Sequence, residues 1–83
     1  MDVEKLSWLK ASEYRQNVLK SLKNNPRTPK DISEDTDYYL SHVSKTLSDL
    51  VDKELVVCIT PEKRKGKLFK ISNKGEEMID LMR

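Results

Sequence analysis

The sequence contains one cysteine, one histidine and only two glycines among its 83 residues. A single cysteine cannot form a disulfide within the chain. A zinc site needs three or four cysteine, histidine or carboxylate ligands at short spacings, and Cys58 and His42 each stand alone in the sequence. We therefore expect neither a structural metal nor a cofactor.

Long apolar runs are also missing. No stretch approaches the roughly 18 consecutive apolar residues of a membrane-spanning helix, and no apolar segment follows the N-terminus as in a secretion signal. We expect a cytoplasmic protein that makes no membrane contact. With one histidine, one cysteine and no carboxylate pair in an evident cleft, the chain also lacks the usual materials of catalysis, so an enzyme is not expected.

Charge is abundant and unevenly distributed. Residues 60–74 hold six cations and one acid, a net charge of +5, whereas the rest of the chain holds 10 cations and 13 acids, a net charge of −3. A basic patch on a slightly acidic body is the usual electrostatic signature of a surface that binds phosphate.

The first helix is predicted over about residues 7–24, because apolar residues recur there every three or four positions. These residues are Trp8, Ala11, Tyr14, Val18 and Leu22. Ser7 and Ser12 are both suitable N-cap residues, so the helix starts at either one or is broken between them. Pro26 ends it.

A second helix is predicted over about residues 28–36. Thr28 is a good N-cap, Pro29 fits the first helical position, and Asp31 is placed to complete a capping box. Asp37 then falls where the chain must leave the helix in a left-handed conformation, which aspartate tolerates better than most residues.

A third helix is predicted over about residues 40–53. Its apolar stripe is expected in the core and consists of Leu40, Val43, Leu47 and Leu50. The opposite side carries small polar and basic residues, with no acid before Asp49. These outward residues are Ser41, His42, Ser44, Lys45 and Ser48.

A hairpin and a closing helix are predicted for the remainder. Residues 55–71 contain two strand-like segments, with Gly66 available for the positive φ of the turn between them. Ser72 can cap a last helix over about residues 73–82. Val56 and Ile71 are expected in the core.

The predicted order is helix, helix, helix, strand, charged wing, strand, helix. This order indicates the α+β class, as a single winged helix-turn-helix domain over residues 1–83. "TPKDISEDTDYYLSHVSKTLSDLVDKELV" resembles the helix-turn-helix of small archaeal-type MarR- and ArsR-like transcriptional regulators. "TPEKRKGKLFKISNKGEEMIDL" resembles their wing and closing helix, so that the resemblance covers about residues 12–81.

This resemblance implies sequence-specific binding of double-stranded DNA. The third helix would enter the major groove, and the wing would lie along the phosphate backbone or in the minor groove. The third helix would contribute Ser41, His42, Ser44, Lys45 and Ser48. The turn and the wing would contribute Tyr38, Tyr39, Lys63, Arg64, Lys65 and Lys67.

The chain departs from the family pattern in its second helix and in two turns. Asp37 and Glu54 stand where these families often have glycine. The second helix also has more acidic residues than its single lysine, and acidic residues that faced phosphate would weaken DNA binding. They are Asp31, Glu34, Asp35 and Asp37. This acidic character favours an alternative function, a protein-interaction winged-helix module within a larger complex.

Apolar clusters at both ends of the chain leave a second question open. One cluster is Trp8 and Leu9, and the other is Met78, Ile79 and Met82. Either the two clusters pack together, or they form the surface of a two-fold homodimer. Such a dimer would place two third helices about one DNA turn apart, roughly 34 Å.

Overall fold

The structure, a computed structural model, describes residues 3–82. Within that range the chain forms five helices and a two-stranded antiparallel sheet. In chain order the elements are α1 (Val3–Lys10), α2 (Glu13–Ser21), α3 (Pro29–Thr36), α4 (Leu40–Asp52), β1 (Val56–Cys58), β2 (Phe69–Ile71) and α5 (Asn73–Leu81). Residues 1, 2 and 83, at the ends of the predicted domain, lie outside the described range. No helix formed by residues 3–82 is both long enough and apolar enough to cross a bilayer.

The segment predicted as one helix over residues 7–24 forms two helices. α1 ends at Lys10, and Ser12 is the N-cap of α2, where its hydroxyl accepts a hydrogen bond from the Arg15 amide (3.4 Å). Ser7 lies inside α1 and caps no helix. The sequence left open whether one helix starts at Ser7 or Ser12 or is broken between them. The structure shows the broken form, in which α1 packs back against α2.

α3 begins with a complete capping box. The Asp31 amide donates to the Thr28 hydroxyl (3.2 Å), and the Thr28 amide donates to the Asp31 carboxylate (3.3 Å). Pro29 occupies the first turn, where its missing N–H removes no helical hydrogen bond. The chain leaves α3 at Asp37, and residues 37–39 connect it to α4 as a helix-turn-helix.

One side of α4 forms the centre of the core. Val43, Leu47 and Leu50 are buried, and α4 packs against α2, α3 and β1. The other core residues are Leu9, Val18, Leu19, Leu22, Ile32, Leu55, Val56, Ile71, Met78 and Ile79. Because each buried aliphatic side chain stabilises the fold by about 1.5–3 kcal/mol, this stripe fixes the rotation of α4 about its own axis.

The prediction that Leu40 belongs to the core is wrong. Leu40 is the first residue of α4 and is 51% exposed. Its spacing from Val43 is that of a core stripe, but the first turn of α4 extends beyond the buried interior. Its side chain instead lines a surface groove between α3, α4 and the β1–β2 hairpin.

Within residues 3–82, three residues have left-handed backbone conformations. The φ angles are 61° at Asp37, 64° at Glu54 and 65° at Gly66. Asp37 and Glu54 are the two positions where the resembling families often have glycine, so the same turns form here with side chains present. Glu54 is the more strained residue, because aspartate accepts this conformation more readily than glutamate does.

Gly75, in the first turn of α5, is required by close packing. A Cβ atom there would lie 2.7 Å from Cγ1 of Ile71 and closer still to the carbonyl oxygen of Leu55. Ser72 caps the same turn, since its hydroxyl accepts from the Gly75 amide (3.0 Å). The glycine of the "ISNKG" segment therefore allows α5 to pack directly on β2 and on the end of the α4–β1 connection.

The two apolar end clusters pack within one protomer. Leu9, Met78 and Ile79 are buried in the common core, at 0–4% exposure. Trp8 is partly buried, with the Arg15 guanidinium 4.1 Å and the Lys53 ammonium 5.5 Å from the ring centroid. The predicted dimer surface is thus mostly interior, because the break before α2 brings α1 onto the domain.

Replacing Glu54 separates backbone strain from side-chain contacts. Glu54→Gly and Glu54→Ala both remove the same ion pair, between the exposed Glu54 carboxylate and the mostly buried Lys5 side chain (4.0 Å), so its contribution cancels between the two variants. Only glycine relieves the left-handed strain, so Glu54→Gly should exceed Glu54→Ala in free energy of unfolding by about 1 kcal/mol. Urea denaturation of both variants measures this difference, and equal stabilities would contradict the strain.

Candidate nucleic-acid interface

The outward side of α4 carries the five residues predicted on the third helix. We refer to Ser41, His42, Ser44, Lys45 and Ser48 as the α4 face, and all five are exposed. Helical spacing from the buried stripe directs Ser41, Lys45 and Ser48 most directly away from the core. The same spacing turns Ser44 towards the hairpin and His42 towards α2.

Lys45 forms an ion pair with Asp49 on the next turn of α4. The Lys45 ammonium is 2.9 Å from the Asp49 carboxylate, and the lysine side chain is 75% exposed. An exposed pair at this spacing contributes only about 0.3–0.5 kcal/mol, so Lys45 can leave Asp49 at small cost. Asp49 and Asp52 also mark the C-terminal limit of the surface suited to an anion.

The wing is the β1–β2 hairpin and its loop. Val56 pairs with Ile71 and Cys58 with Phe69, while Arg27 bridges the other edge of β2 by two backbone hydrogen bonds to Phe69 (2.9 Å each). In the loop, the Leu68 amide donates to the Thr60 hydroxyl (2.9 Å). β2 is therefore held from both sides, which positions the loop beside α4.

The wing carries unpaired positive charge. The wing cations are Lys63, Arg64, Lys65 and Lys67. The first three are exposed and the fourth is partly buried. Within residues 3–82, none of them lies within ion-pairing distance of a carboxylate. Their charge is consequently available to an external anion.

A groove of about 690 Å³ joins the wing to α4. It is lined by the α3 N-cap Thr28, by Pro29 and Lys30 of α3, and by Leu40, Ser44 and Leu47 of α4. The wing supplies Arg64, Lys65, Gly66, Lys67 and Phe69. Of the predicted site residues, Ser44 from α4 and three wing cations, Arg64, Lys65 and Lys67, border this concave surface, while the other four residues of the α4 face and Lys63 lie outside it.

The acids of α3 do not line this groove. Among the described residues that border it there is no aspartate or glutamate, and the contribution of α3 is its N-terminal end. Asp35 instead lies beside Asn17, Lys20 and Tyr38 in a separate depression on the α2 side. Among residues 3–82, no three histidine, cysteine or carboxylate side chains come together as a metal site.

The two tyrosines of the turn have different surroundings. Tyr39 is 78% exposed, and its ring centroid is 6.0 Å from that of His42. Tyr38 is partly buried, its hydroxyl accepts a hydrogen bond from the Asn17 amide group (2.7 Å), and its ring packs 4.4 Å from Tyr14. Of the two, Tyr39 presents the freer side chain.

Tyr14 is the residue near this surface that sequence reasoning did not select. In the sequence it was only one of the apolar residues whose spacing predicts the first helix. In the structure it is 46% exposed, and its ring centroid lies 5.6 Å from that of His42. Helical spacing alone could not reveal this, because the contact joins residues 28 positions apart in sequence.

No family model matches the sequence, and no curated protein matches it. Solved structures do match the fold. MarR of E. coli in its reduced form is 25% identical over 93% of this chain and 58% of its own, with a TM-score of 0.77. The S. aureus MepR–DNA complex has the same TM-score at 18% identity, covering 95% and 67% of the two chains. Mb0332 of Mycobacterium bovis, a homodimeric winged helix-turn-helix DNA-binding domain and possible ArsR-family regulator, is 20% identical with a TM-score of 0.76 over 96% and 73%.

These similarities confirm the winged helix-turn-helix fold predicted from the sequence. The structural neighbours include MarR-family and ArsR-family winged-helix regulators. The chain spans about half the length of several matching proteins, 49% in the case of ZitR of Lactococcus lactis. The structural similarity therefore covers the winged helix-turn-helix domain and not the remaining length of those proteins.

The contact between Asn17 and Tyr38 should stabilise the attachment of the turn to α2. We expect Asn17→Ala and Tyr38→Phe each to lower the free energy of unfolding by about 0.5–1.5 kcal/mol, because each removes one partner of the hydrogen bond. The double variant should lose less free energy of unfolding than the sum of the two single losses, which a double-mutant cycle measured by denaturation would show. Strictly additive losses would mean that the two side chains act independently.

Proposed function

We propose that this chain binds double-stranded DNA sequence-specifically and acts as a transcriptional regulator. In this proposal α4 enters the major groove, and the wing lies on phosphate or in the minor groove. The observation that carries the proposal is that α4 and the wing border one groove, in which Ser44 of the exposed α4 face lies beside wing cations that have no carboxylate partner in residues 3–82.

The α4 face would read base edges. Lys45, once it leaves Asp49, can donate to O6 and N7 of guanine, which is among the commonest specific contacts. The serine hydroxyls can donate or accept at several bases, and His42 can hydrogen-bond a base or contact a thymine methyl group. The absence of acids from the first half of this face suits it to the negative potential of a duplex.

The wing would position the protein by charge. Lys63, Lys65 and Lys67 would contact phosphates without reading sequence. Arg64 is the better candidate for a narrow minor groove, because a guanidinium is planar and more weakly hydrated than an ammonium. Tyr39, whose hydroxyl has no hydrogen-bond partner among residues 3–82, would add a neutral phosphate contact.

The comparisons support this proposal at the level of the fold. MepR has the same architecture and was solved in complex with DNA, at a TM-score of 0.77 to this chain. Because its identity to this chain is 18%, the likeness extends to the fold and not to base preferences. The choice of residues proposed here rests on exposure and charge in this chain.

A homodimer, like that of Mb0332, is part of the proposal only in a modified form. Leu9, Met78 and Ile79 are occupied within the protomer and cannot contact a second copy. The exposed apolar residues on the same terminal helices are Val3 and Leu81, which remain available for pairing. A duplex with two half-sites about 34 Å apart would suit such a pair.

Selection of bound duplexes from a random pool tests the proposal. We expect one preferred sequence. Lys45→Ala should flatten that preference at one or two base pairs, a loss of about 1–3 kcal/mol in discrimination. Lys65→Ala, which removes one of the phosphate contacts, should weaken all duplexes alike and reduce the slope of log affinity against log salt by about 1.

Lys23→Ala is the matched control, because this partly exposed lysine lies beside α5, away from both the groove and the turn, and should leave affinity unchanged. Enrichment of no sequence, with equal losses from all three variants, would exclude specific recognition by α4. A failure to shift any duplex at low salt, together with capture of a stable protein partner, would favour the protein-interaction alternative.

A further inference from the structure

All three tyrosines and the single histidine meet in one surface cluster. The ring centroids of Tyr14 and Tyr38 are 4.4 Å apart, those of Tyr14 and His42 are 5.6 Å apart, and those of His42 and Tyr39 are 6.0 Å apart. We call Tyr14, His42 and Tyr39 the aromatic ridge. The ridge connects the start of α2 with the start of α4 across the turn.

The hydroxyl groups of this cluster are not equivalent. The Tyr38 hydroxyl accepts a hydrogen bond from Asn17 at 2.7 Å, so that Tyr38 is tied to α2. The Tyr14 and Tyr39 hydroxyls make no hydrogen bond within residues 3–82. Tyr14 is also 46% exposed, although its ring is fixed between Tyr38 and His42. A rigid aromatic ring thus holds an unused donor at the surface.

The ridge borders the flank of α4 that faces away from the wing. Ser44 faces the groove beside the wing, and His42 lies on the other flank of the helix, in contact with Tyr14. An α-helix with its side chains is about 10–12 Å wide, and the major groove of B-DNA is about 12 Å wide. A helix seated in that groove therefore has a phosphate backbone close to each flank.

The two flanks offer different chemistry to those backbones. The wing offers four cations, whereas the ridge offers phenolic hydroxyl groups, which donate a hydrogen bond without adding charge. Tyrosine hydroxyls are regular donors to phosphate oxygens in protein–DNA complexes. Tyr14 is held rigidly, so it loses little conformational freedom when such a bond forms.

We propose that Tyr14 is a further DNA-contacting residue, whose hydroxyl donates to a phosphate of the strand on the α2 side of α4. This inference rests on the proposed function, because it requires α4 to lie in the major groove. Tyr38 then acts as a positioning residue, which holds the Tyr14 ring in place through its own contact with α2.

Tyr14→Phe in the full chain tests this contact, with the duplex selected from the random pool as the probe. Phenylalanine keeps the ring contacts, so the midpoint of thermal unfolding should not change. Affinity measured by fluorescence anisotropy should fall roughly tenfold, the usual effect of one lost hydrogen bond to a charged acceptor. The salt slope should stay as in the parent chain, because no cation is removed.

Tyr38→Phe is the matched control, since it removes the same group from the neighbouring ring. It should lower the unfolding midpoint, because it removes the hydrogen bond from Asn17, and it should weaken binding less than Tyr14→Phe does, because the Tyr14 hydroxyl stays in place. Single methylphosphonate substitutions along the duplex then locate the phosphate. A methylphosphonate at one position of the strand facing α2 should weaken binding of the parent chain. The same substitution should not weaken the binding of Tyr14→Phe any further.

The outcomes distinguish a failure of the proposed function from a failure of the Tyr14 contact alone. If the parent chain binds no duplex, the proposed function fails, and this inference fails with it. If the parent chain binds and Tyr14→Phe binds equally well, only the Tyr14 contact is excluded. The same conclusion follows if Tyr14→Phe weakens binding but every methylphosphonate position still affects it as it affects the parent chain.

Discussion

The burial of Val43, Leu47 and Leu50 against α2, α3 and β1 determines how α4 is rotated in the domain. Turning the helix would expose these side chains to water, which costs several kcal/mol. The opposite side of α4 is therefore held outward, and its polar residues follow from the core without any contact of their own. The same packing places β1, and with it the wing, beside the first turns of α4.

The distribution of charge depends on this arrangement. The wing cations and Lys30 border the groove next to α4, whereas the described groove lining contains no acid from α3. The separation of charge along the sequence is therefore kept in the folded molecule. A small domain with a net charge of only +2 can in this way present a strongly basic surface on one side.

Periodicity and capping rules predicted most of the fold, because they describe local physics. The capping box at Thr28, the left-handed turn at Asp37 and the exposure of the α4 face all follow from nearest neighbours and helical spacing. Leu40 was wrongly placed in the core because spacing identifies a helix face and not where the core ends. The contacts of Tyr14 with Tyr38 and His42 depend on packing between α2 and the turn, which no local rule contains.

Titration of the ¹⁵N-labelled protein with duplex DNA tests the proposal that the α4 face and the wing form one DNA-binding surface. We expect the largest amide shift changes within residues 38–48 and 62–67, with α5 nearly unchanged. Changes that are largest on α5 or on the acidic side of α3, or changes confined to the wing alone, would contradict it.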